Sequence, residues 1–222
     1  MNVEPVVARL VVALLGAEST GKTTLANELK TALREPGHDV EVVPEYLREF
    51  CNHHGRTPRR DEQRAIADEQ TRRIEAAAQQ HHIVIADTTA VMIAVYSDHV
   101  FNDTSLYAMA QAAHARCSLT LLTALDLPWQ ADGLQRDGPQ VRAPVDALVR
   151  AAMTRADLPY SVIFGSGAHR LEAALACVQR ALKPPPSFND ASEHATNEAA
   201  RWHSVCERCG DAACERHRLP TG

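Results

Sequence analysis

Residues Gly16-Ala17-Glu18-Ser19-Thr20-Gly21-Lys22-Thr23 spell G-x-x-x-x-G-K-[ST], a pattern whose chemistry is phosphate binding. Consecutive backbone N–H groups in such a loop point into one concavity and bind phosphate oxygens. A helix N-terminus behind them adds partial positive charge. Gly16 and Gly21 allow a backbone path that a Cβ would obstruct. Lys22 is expected to reach the β- and γ-phosphates, and Thr23 to offer its hydroxyl to Mg²⁺. The phosphate-binding set is therefore Gly16 through Thr24, and the implied ligands are ATP and Mg²⁺.

Three further groups have residue types suited to phosphoryl transfer. Asp87 closes the apolar run Ile83-Val84-Ile85-Ala86. A carboxylate at the tip of a buried strand can hold Mg²⁺, usually through water. With Thr88-Thr89 after it, the same Asp87 could instead cap a following helix. The second group is Pro44-Glu45-Tyr46-Leu47-Arg48-Glu49-Phe50. Glu45 there can take a proton from an attacking hydroxyl. Arg48 can clamp a phosphate or carboxyl group, and Tyr46 and Phe50 can stack on a flat ring. The competing reading is a plain amphipathic helix start. The third group runs from Asp126-Leu127-Pro128-Trp129 to Asp132-Gly133-Leu134-Gln135-Arg136-Asp137-Gly138. It reads either as a lid carrying Arg136 onto the transferring phosphate and Trp129 onto a substrate ring, or as a surface loop whose Trp packs on the body. Glu45 and Asp87 both qualify as general base; the assignment adopted is Glu45 for the proton and Asp87 for Mg²⁺.

These groups need elements to position them. Five apolar runs, Arg9–Leu15, Asp39–Val43, Ile83–Ala86, Ser118–Thr123 and Tyr160–Phe164, read as strands. Between them, Lys22–Arg34, Arg59–Gln80, Thr104–Ala115, Pro144–Ala156 and His169–Leu182 read as helices. Alternation of this kind predicts an α/β protein: a P-loop NTPase three-layer fold with a five-stranded, mainly parallel sheet covered on both faces. In such a sheet the ligand lies beyond the carboxyl ends of the strands. The phosphate loop, Glu45, Asp87 and Asp126–Asp137 all fall at that edge.

Length and composition set the frame. The 222 residues suffice for one sizeable domain, read as 1–183, with room for an appendage. Apolar residues make up 45%, which suits a packed core. A net charge of −5 gives no global basic field, so nucleic acid is not the expected partner. No apolar run approaches bilayer-spanning length, and residues 1–9 carry Glu4 and Pro5, unlike a secretory signal. The expected location is the cytoplasm. His53-His54 and His81-His82 are adjacent pairs that do not face one point on a helix, and read as surface residues.

The set Gly16–Thr23 with Glu18-Ser19 inside the loop, Glu45-Tyr46-x-Arg48-Glu49-Phe50, Gln70, Asp87-Thr88 and Asp126-x-Pro128-Trp129-x-x-Asp132-Gly133 resembles a known family. It is similar to the ribosylnicotinamide kinase domain of NadR-type NAD-biosynthesis proteins, within the NadR-like AAA/P-loop ATPases. The match covers roughly residues 8–182. The resemblance implies a nucleoside-kinase-like fold and phosphorylation of the 5′-hydroxyl of nicotinamide riboside to give nicotinamide mononucleotide. It implies Glu45 or Asp87 as base, and Tyr46 and Trp129 bracketing the nicotinamide ring, with Arg48 and Asp132 in the substrate set. It does not extend to the adenylyltransferase and DNA-binding regions of bifunctional NadR proteins. Kinase for another nucleoside, or a regulatory ATPase, are the alternatives that share this fold.

Beyond Lys183-Pro184-Pro185-Pro186, residues 184–200 read as a linker and 201–222 as a Cys-rich tail. Cys206-x-x-Cys209-x-x-x-x-Cys214-x-x-His217 contains four groups able to close a tetrahedral Zn²⁺ site. About twenty residues have no core of their own, so metal would supply their folding energy. The alternative is a tail with free thiols. Cys51, Cys117 and Cys177 are scattered and read as free thiols. A simple kinase has no evident need of such a tail, which motivates a protein partner through it.

Overall fold

The computed structural model describes residues 9–130 and 138–183. The chain divides into Met1–Leu182 and Lys183–Gly222, and the described elements belong to the first unit. The Cys-rich tail, with Cys206, Cys209, Cys214 and His217, lies outside the described residues, as do Asp132 and Arg136.

Five strands form one sheet: β1 (Leu10–Leu15), β2 (Val40–Val43), β3 (Ile83–Asp87), β4 (Leu119–Thr123) and β5 (Ser161–Ile163). Their order is β2-β3-β1-β4-β5, and every neighbouring pair is parallel. A parallel sheet is buried on both faces, which is why these strands read as continuous apolar runs rather than alternating ones. Among the described residues six α-helices connect them, α1 (Lys22–Arg34), α2 (Tyr46–His54), α3 (Gln63–Gln80), α4 (Ala90–Phe101), α5 (Tyr107–His114) and α6 (Arg142–Arg155), and α7 (Gly167–Leu182) follows β5.

The period-2 alternation of strand side chains sorts the core into layers. Leu10, Val12 and Leu14 of β1 and Ile83 and Ile85 of β3 pack with Leu25, Leu29 and Leu33 of α1 and Ala174 and Val178 of α7. On the opposite face, Leu15 and Leu122 join Ile66 of α3, Val91–Val95 of α4 and Val145, Val149 and Met153 of α6. Val84 and Ala86 pack with Val43 and Ile74 beside them. The three-layer α/β architecture expected from the sequence is the one observed.

The segment following β3 departs from the sequence reading, which placed no helix over 90–101. Ala90 through Val95, and Ser97, are all buried in α4. A helix enclosed on nearly every side has no polar stripe, so its sequence carries no 3.6-residue alternation to detect. Its N-cap is Thr89, whose hydroxyl accepts from the Val91 N–H at 3.3 Å. The cap is thus not Asp87, whose carboxylate is engaged elsewhere.

His114, at the end of α5, ties this helix to the sheet. One ring nitrogen lies 2.9 Å from Thr89 Oγ1 and the other 2.8 Å from Thr120 Oγ1 of β4. The residue is 2% exposed, and burial pushes its pKa down to about 4. The folded protein therefore holds His114 neutral while the unfolded chain takes up a proton near pH 6.5. Its stabilising contribution is complete above pH 6.5 and is lost as pH falls towards 4. The full swing is about 3 kcal/mol from this group. Urea unfolding at pH 7 and pH 4.5 measures it, and His114→Gln is expected to flatten the slope across that interval. An unchanged slope in the variant would remove His114 as its origin.

Candidate active site

The loop between β1 and α1 takes its shape from three contacts that reach it from other parts of the chain. Gly16 sits at φ 147°, and a Cβ built on it would meet Thr123 Oγ1 at 2.1 Å. Thr123, at the end of β4, hydrogen-bonds the Thr20 hydroxyl at 2.7 Å and donates to the Leu15 carbonyl at 3.1 Å. The Thr20 hydroxyl in turn donates to the Ala17 carbonyl at 2.9 Å. From the far side, Arg170 of α7 donates to the Thr20 carbonyl at 2.7 Å. The Ser19 hydroxyl accepts from the Gln130 N–H at 2.7 Å. Gly16→Ala must push the Thr123 side chain away and hold a left-handed backbone. The expected cost is about 2 kcal/mol or more, read as a lowered unfolding midpoint together with weakened binding of an ATP analogue.

Lys22 is the first residue of α1 and curls back over the loop. Its ammonium donates to the carbonyls of Gly16 at 2.8 Å and Ala17 at 2.7 Å. Ser19, Thr20, Gly21, Lys22, Thr23 and Thr24 line a groove that Arg48, Leu127, Pro128 and Gln130 complete. The groove volume of about 610 Å³ is ample for a nucleotide.

Strand register delivers the acidic partner. Leu14 of β1 pairs with Asp87 of β3, so the carboxylate emerges beside the strand end that feeds the loop. The Thr23 hydroxyl donates to Asp87 Oδ2 at 2.6 Å. Asp87 is 2% exposed, and its Oδ1 has no hydrogen-bond partner among the described residues. A buried carboxylate oxygen beside a hydroxyl oxygen is a hard donor set, which suits Mg²⁺. The residues present therefore fit the metal that the loop implies. Among the described residues there is no cluster of three His, Cys, Asp or Glu side chains able to hold a metal by themselves.

Glu45 ends the β2–α2 connection, and Gln70 of α3 fixes its backbone from both sides. Gln70, fully buried, accepts from the Tyr46 N–H at 2.7 Å and donates to the Pro44 carbonyl at 3.3 Å. It also donates to the Thr88 carbonyl at 3.4 Å, joining the Glu45 and Asp87 strand ends. The Glu45 side chain is 10% exposed and lies 3.5 Å from Arg48 Nε. Burial pushes its pKa above the ordinary glutamate value; Lys22 and Arg48 pull the other way, and the Asp87 charge adds to the rise. A second cavity, about 180 Å³, opens in front of it. Its polar wall is Glu18, Lys22, Glu45, Arg48, Thr57 and Gln63, and its apolar wall includes Leu47, Tyr96, Val100 and Phe101. Lys22 and Arg48 border both the groove and the cavity, so the two sites meet at these cations.

The structure thus brings Glu18, Lys22, Thr23, Glu45, Arg48 and Asp87 to one strand edge. Tyr46 and Trp129 are not among the residues lining the cavity. Tyr46 faces the other way, with the Arg73 guanidinium 4.4 Å from its ring centroid. Phe50 stacks on His54 with ring centroids 4.0 Å apart. Asp126, grouped with the lid in the sequence, instead receives the Gly165 N–H at 2.6 Å and Arg170 at 3.0 Å. Burial would raise its pKa, but these two donors outweigh it and hold the carboxyl below the usual range. Sequence reasoning passed over Arg170, Thr123 and Gln63. Gln63 carried a usable signal: it falls with Ile66, Ala67, Gln70 and Ile74 on the buried stripe of α3, where a polar residue needs a reason.

A phosphate-loop motif on a parallel sheet, with a buried carboxylate at the tip of the neighbouring strand, defines a P-loop nucleotide-binding protein. An AAA domain family model matches residues 11–170, and the chain belongs to that family. No curated protein matches. The fold is shared with NadR protein solved in complex with NR, at TM-score 0.63 and 20% identity, over 81% of this chain and 52% of that one. NadR in complex with NAD and AMP-PNP gives TM-score 0.61 at the same identity and coverage. Thymidylate kinase from Ehrlichia chaffeensis gives TM-score 0.57 at 14% identity, over 79% of this chain and 100% of that one. The chain spans about half the length of the NadR structures. No helix among the described residues is long and apolar enough to cross a membrane.

Proposed function

We propose that the protein is an ATP-dependent kinase that phosphorylates the 5′-hydroxyl of nicotinamide riboside, giving nicotinamide mononucleotide. The observation that carries this reading is Glu45: a buried carboxylate of raised pKa in a cavity that shares Lys22 and Arg48 with the phosphate groove. A loop that only hydrolysed ATP would have no use for such a cavity. The resemblance to NadR, one structure of which contains NR, supports the choice of acceptor.

In this reading the triphosphate lies in the groove, and Lys22 exchanges the Gly16 and Ala17 carbonyls for phosphate oxygens. Thr23 and Asp87 would hold Mg²⁺, which supplies positive charge to the phosphates. The acceptor hydroxyl approaches from the cavity, and Glu45 takes its proton as the oxygen attacks the γ-phosphorus; the bond from that phosphorus to the β–γ bridging oxygen breaks, and ADP leaves. Arg48, at the boundary of the two sites, offsets charge on the transferring group. Exclusion of water falls to the loop after β4, since an open site would hydrolyse ATP idly. Arg136 and Asp132 of that loop keep their proposed roles there, and the Cys-rich tail its proposed zinc and partner.

The test is purified protein with ATP, Mg²⁺ and a panel of ribosides, with products resolved chromatographically. Formation of nicotinamide mononucleotide is expected. ATP binding with no phosphorylated riboside from any member of the panel would refute the kinase reading, and a different preferred riboside would reassign the acceptor.

A further inference from the structure

Gln63 and Gln70 stand two turns apart on the same buried stripe of α3, yet their surroundings differ. The Gln70 carboxamide is fully engaged by Tyr46 N–H and the Pro44 and Thr88 carbonyls. Gln63 is 4% exposed, lines the cavity in front of Glu45, and its Oε1 has no hydrogen-bond partner among the described residues. A buried amide oxygen without a donor is unfavourable and rare in a native fold. Glu18, on the opposite wall, also has a buried oxygen, Oε2, without a partner among the described residues. Both of these oxygens are acceptors, while the donor Arg48 Nε of the same cavity faces the Glu45 carboxylate at 3.5 Å.

We propose that Gln63 is a specificity-determining residue of the cavity: its carboxamide oxygen accepts a hydrogen bond from an O–H or N–H donor on an unphosphorylated, nucleoside-class acceptor. This inference rests on reading the cavity as the acceptor site. The placing of the polar groups sets the class. Glu18 and Glu45 present carboxylates and Gln63 an oxygen, whereas the cavity's cations, Lys22 and Arg48, are the residues it shares with the phosphate groove, where the donor's phosphates occupy them. A hydroxyl or amide N–H satisfies these groups, whereas a phosphate on the acceptor brings its own negative oxygens against them. A site built to receive a donor rejects a ligand that lacks one, because its own polar atom is then left buried and unpaired. Gln63 consequently separates nucleosides from their 5′-monophosphates, a distinction the shared fold with a thymidylate kinase leaves open.

The test uses the full chain and calorimetric titration in the presence of AMP-PNP and Mg²⁺. The probes are nicotinamide riboside, adenosine, uridine and cytidine, each beside its 5′-monophosphate. At least one riboside is expected to bind more tightly than its monophosphate. Gln63→Leu is expected to weaken that riboside about tenfold or more, while Gln63→Glu, which keeps an acceptor oxygen, stays within about threefold. AMP-PNP affinity, measured separately, reports whether each variant is folded. Should Gln63→Leu lose it, Gln63→Met removes the oxygen with less change of shape and must show the same riboside loss. Monophosphates binding better than every riboside, no riboside binding to the wild type, or full riboside affinity in the folded Leu or Met variant would each overturn the proposal. Riboside binding without phosphorylation would sink the kinase reading and leave Gln63 standing. Phosphorylation indifferent to Gln63 would do the reverse.

Discussion

Glu45→Gln is expected to lower kcat by roughly 10²- to 10⁴-fold while the KM for ATP changes little. The substitution keeps the size of the side chain and removes its ability to take a proton. Because Glu45 lines the cavity and not the phosphate groove, nucleotide binding is expected to be spared. The pH profile carries the more specific signature. Burial raises the Glu45 pKa, and the base must be ionised to act. Activity should therefore rise with pH along an acid limb displaced above the ordinary glutamate range, and that limb should vanish in the residual activity of the variant. A variant retaining full kcat, or a limb unchanged by the substitution, would pass the role of base to Asp87.

Arg170→Ala is expected to destabilise the fold by about 4 kcal/mol. Arg170 is 4% exposed and donates to the carbonyls of Thr20 and Gly165 and to Asp126 Oδ1, at 2.7, 2.7 and 3.0 Å. Truncation leaves two carbonyls and a partly exposed carboxylate without their cation; water can reach Asp126 more readily than Thr20. The same bonds hold the phosphate loop against the end of β5, so nucleotide affinity should fall in parallel with the denaturation midpoint. Urea unfolding and AMP-PNP titration of one preparation measure both. A loss of stability without any loss of affinity would show that the loop keeps its shape unaided.

The phosphate loop, α1 and the five strands were legible because their signals are local. A glycine-lysine-threonine pattern needs no distant partner to be recognised, and two-faced strands announce themselves as apolar runs. Lys22–Arg34 was readable to the residue because the loop motif marks its start. Right-handed crossovers narrow the sheet to few topologies, whereas the order β2-β3-β1-β4-β5 and the Leu14–Asp87 register are seen only in the structure. What escaped depends on encounters across the chain. Arg170 meets Thr20 across 150 positions, and Thr123 meets Thr20 across 103. Neither has a neighbouring residue that marks it. Tyr46 illustrates the limit of placing an aromatic by proximity in sequence to Glu45. One residue along a helix turns the side chain by about 100°, and here that turn sets the ring against Arg73 instead of the cavity. Helix α4 was invisible for the opposite reason, being apolar on too many sides to show a period.

That enclosure of α4 has a kinetic consequence. A helix buried on all sides over its first two turns gains little by forming alone, because short helices are marginal in water and its apolar sides are satisfied only by neighbours. Its neighbours α3, α5 and α6 come from segments on both sides of it in the chain, so it settles only as the fold closes. Its cap, Thr89, lies two residues after Asp87, and its docking through His114 fixes the turn on which that carboxylate stands. The Thr23–Asp87 pairing is therefore expected to be completed late in folding, in the same cooperative event that closes the core. Ligand-induced protection against proteolysis should consequently appear all at once, with no intermediate that binds nucleotide weakly.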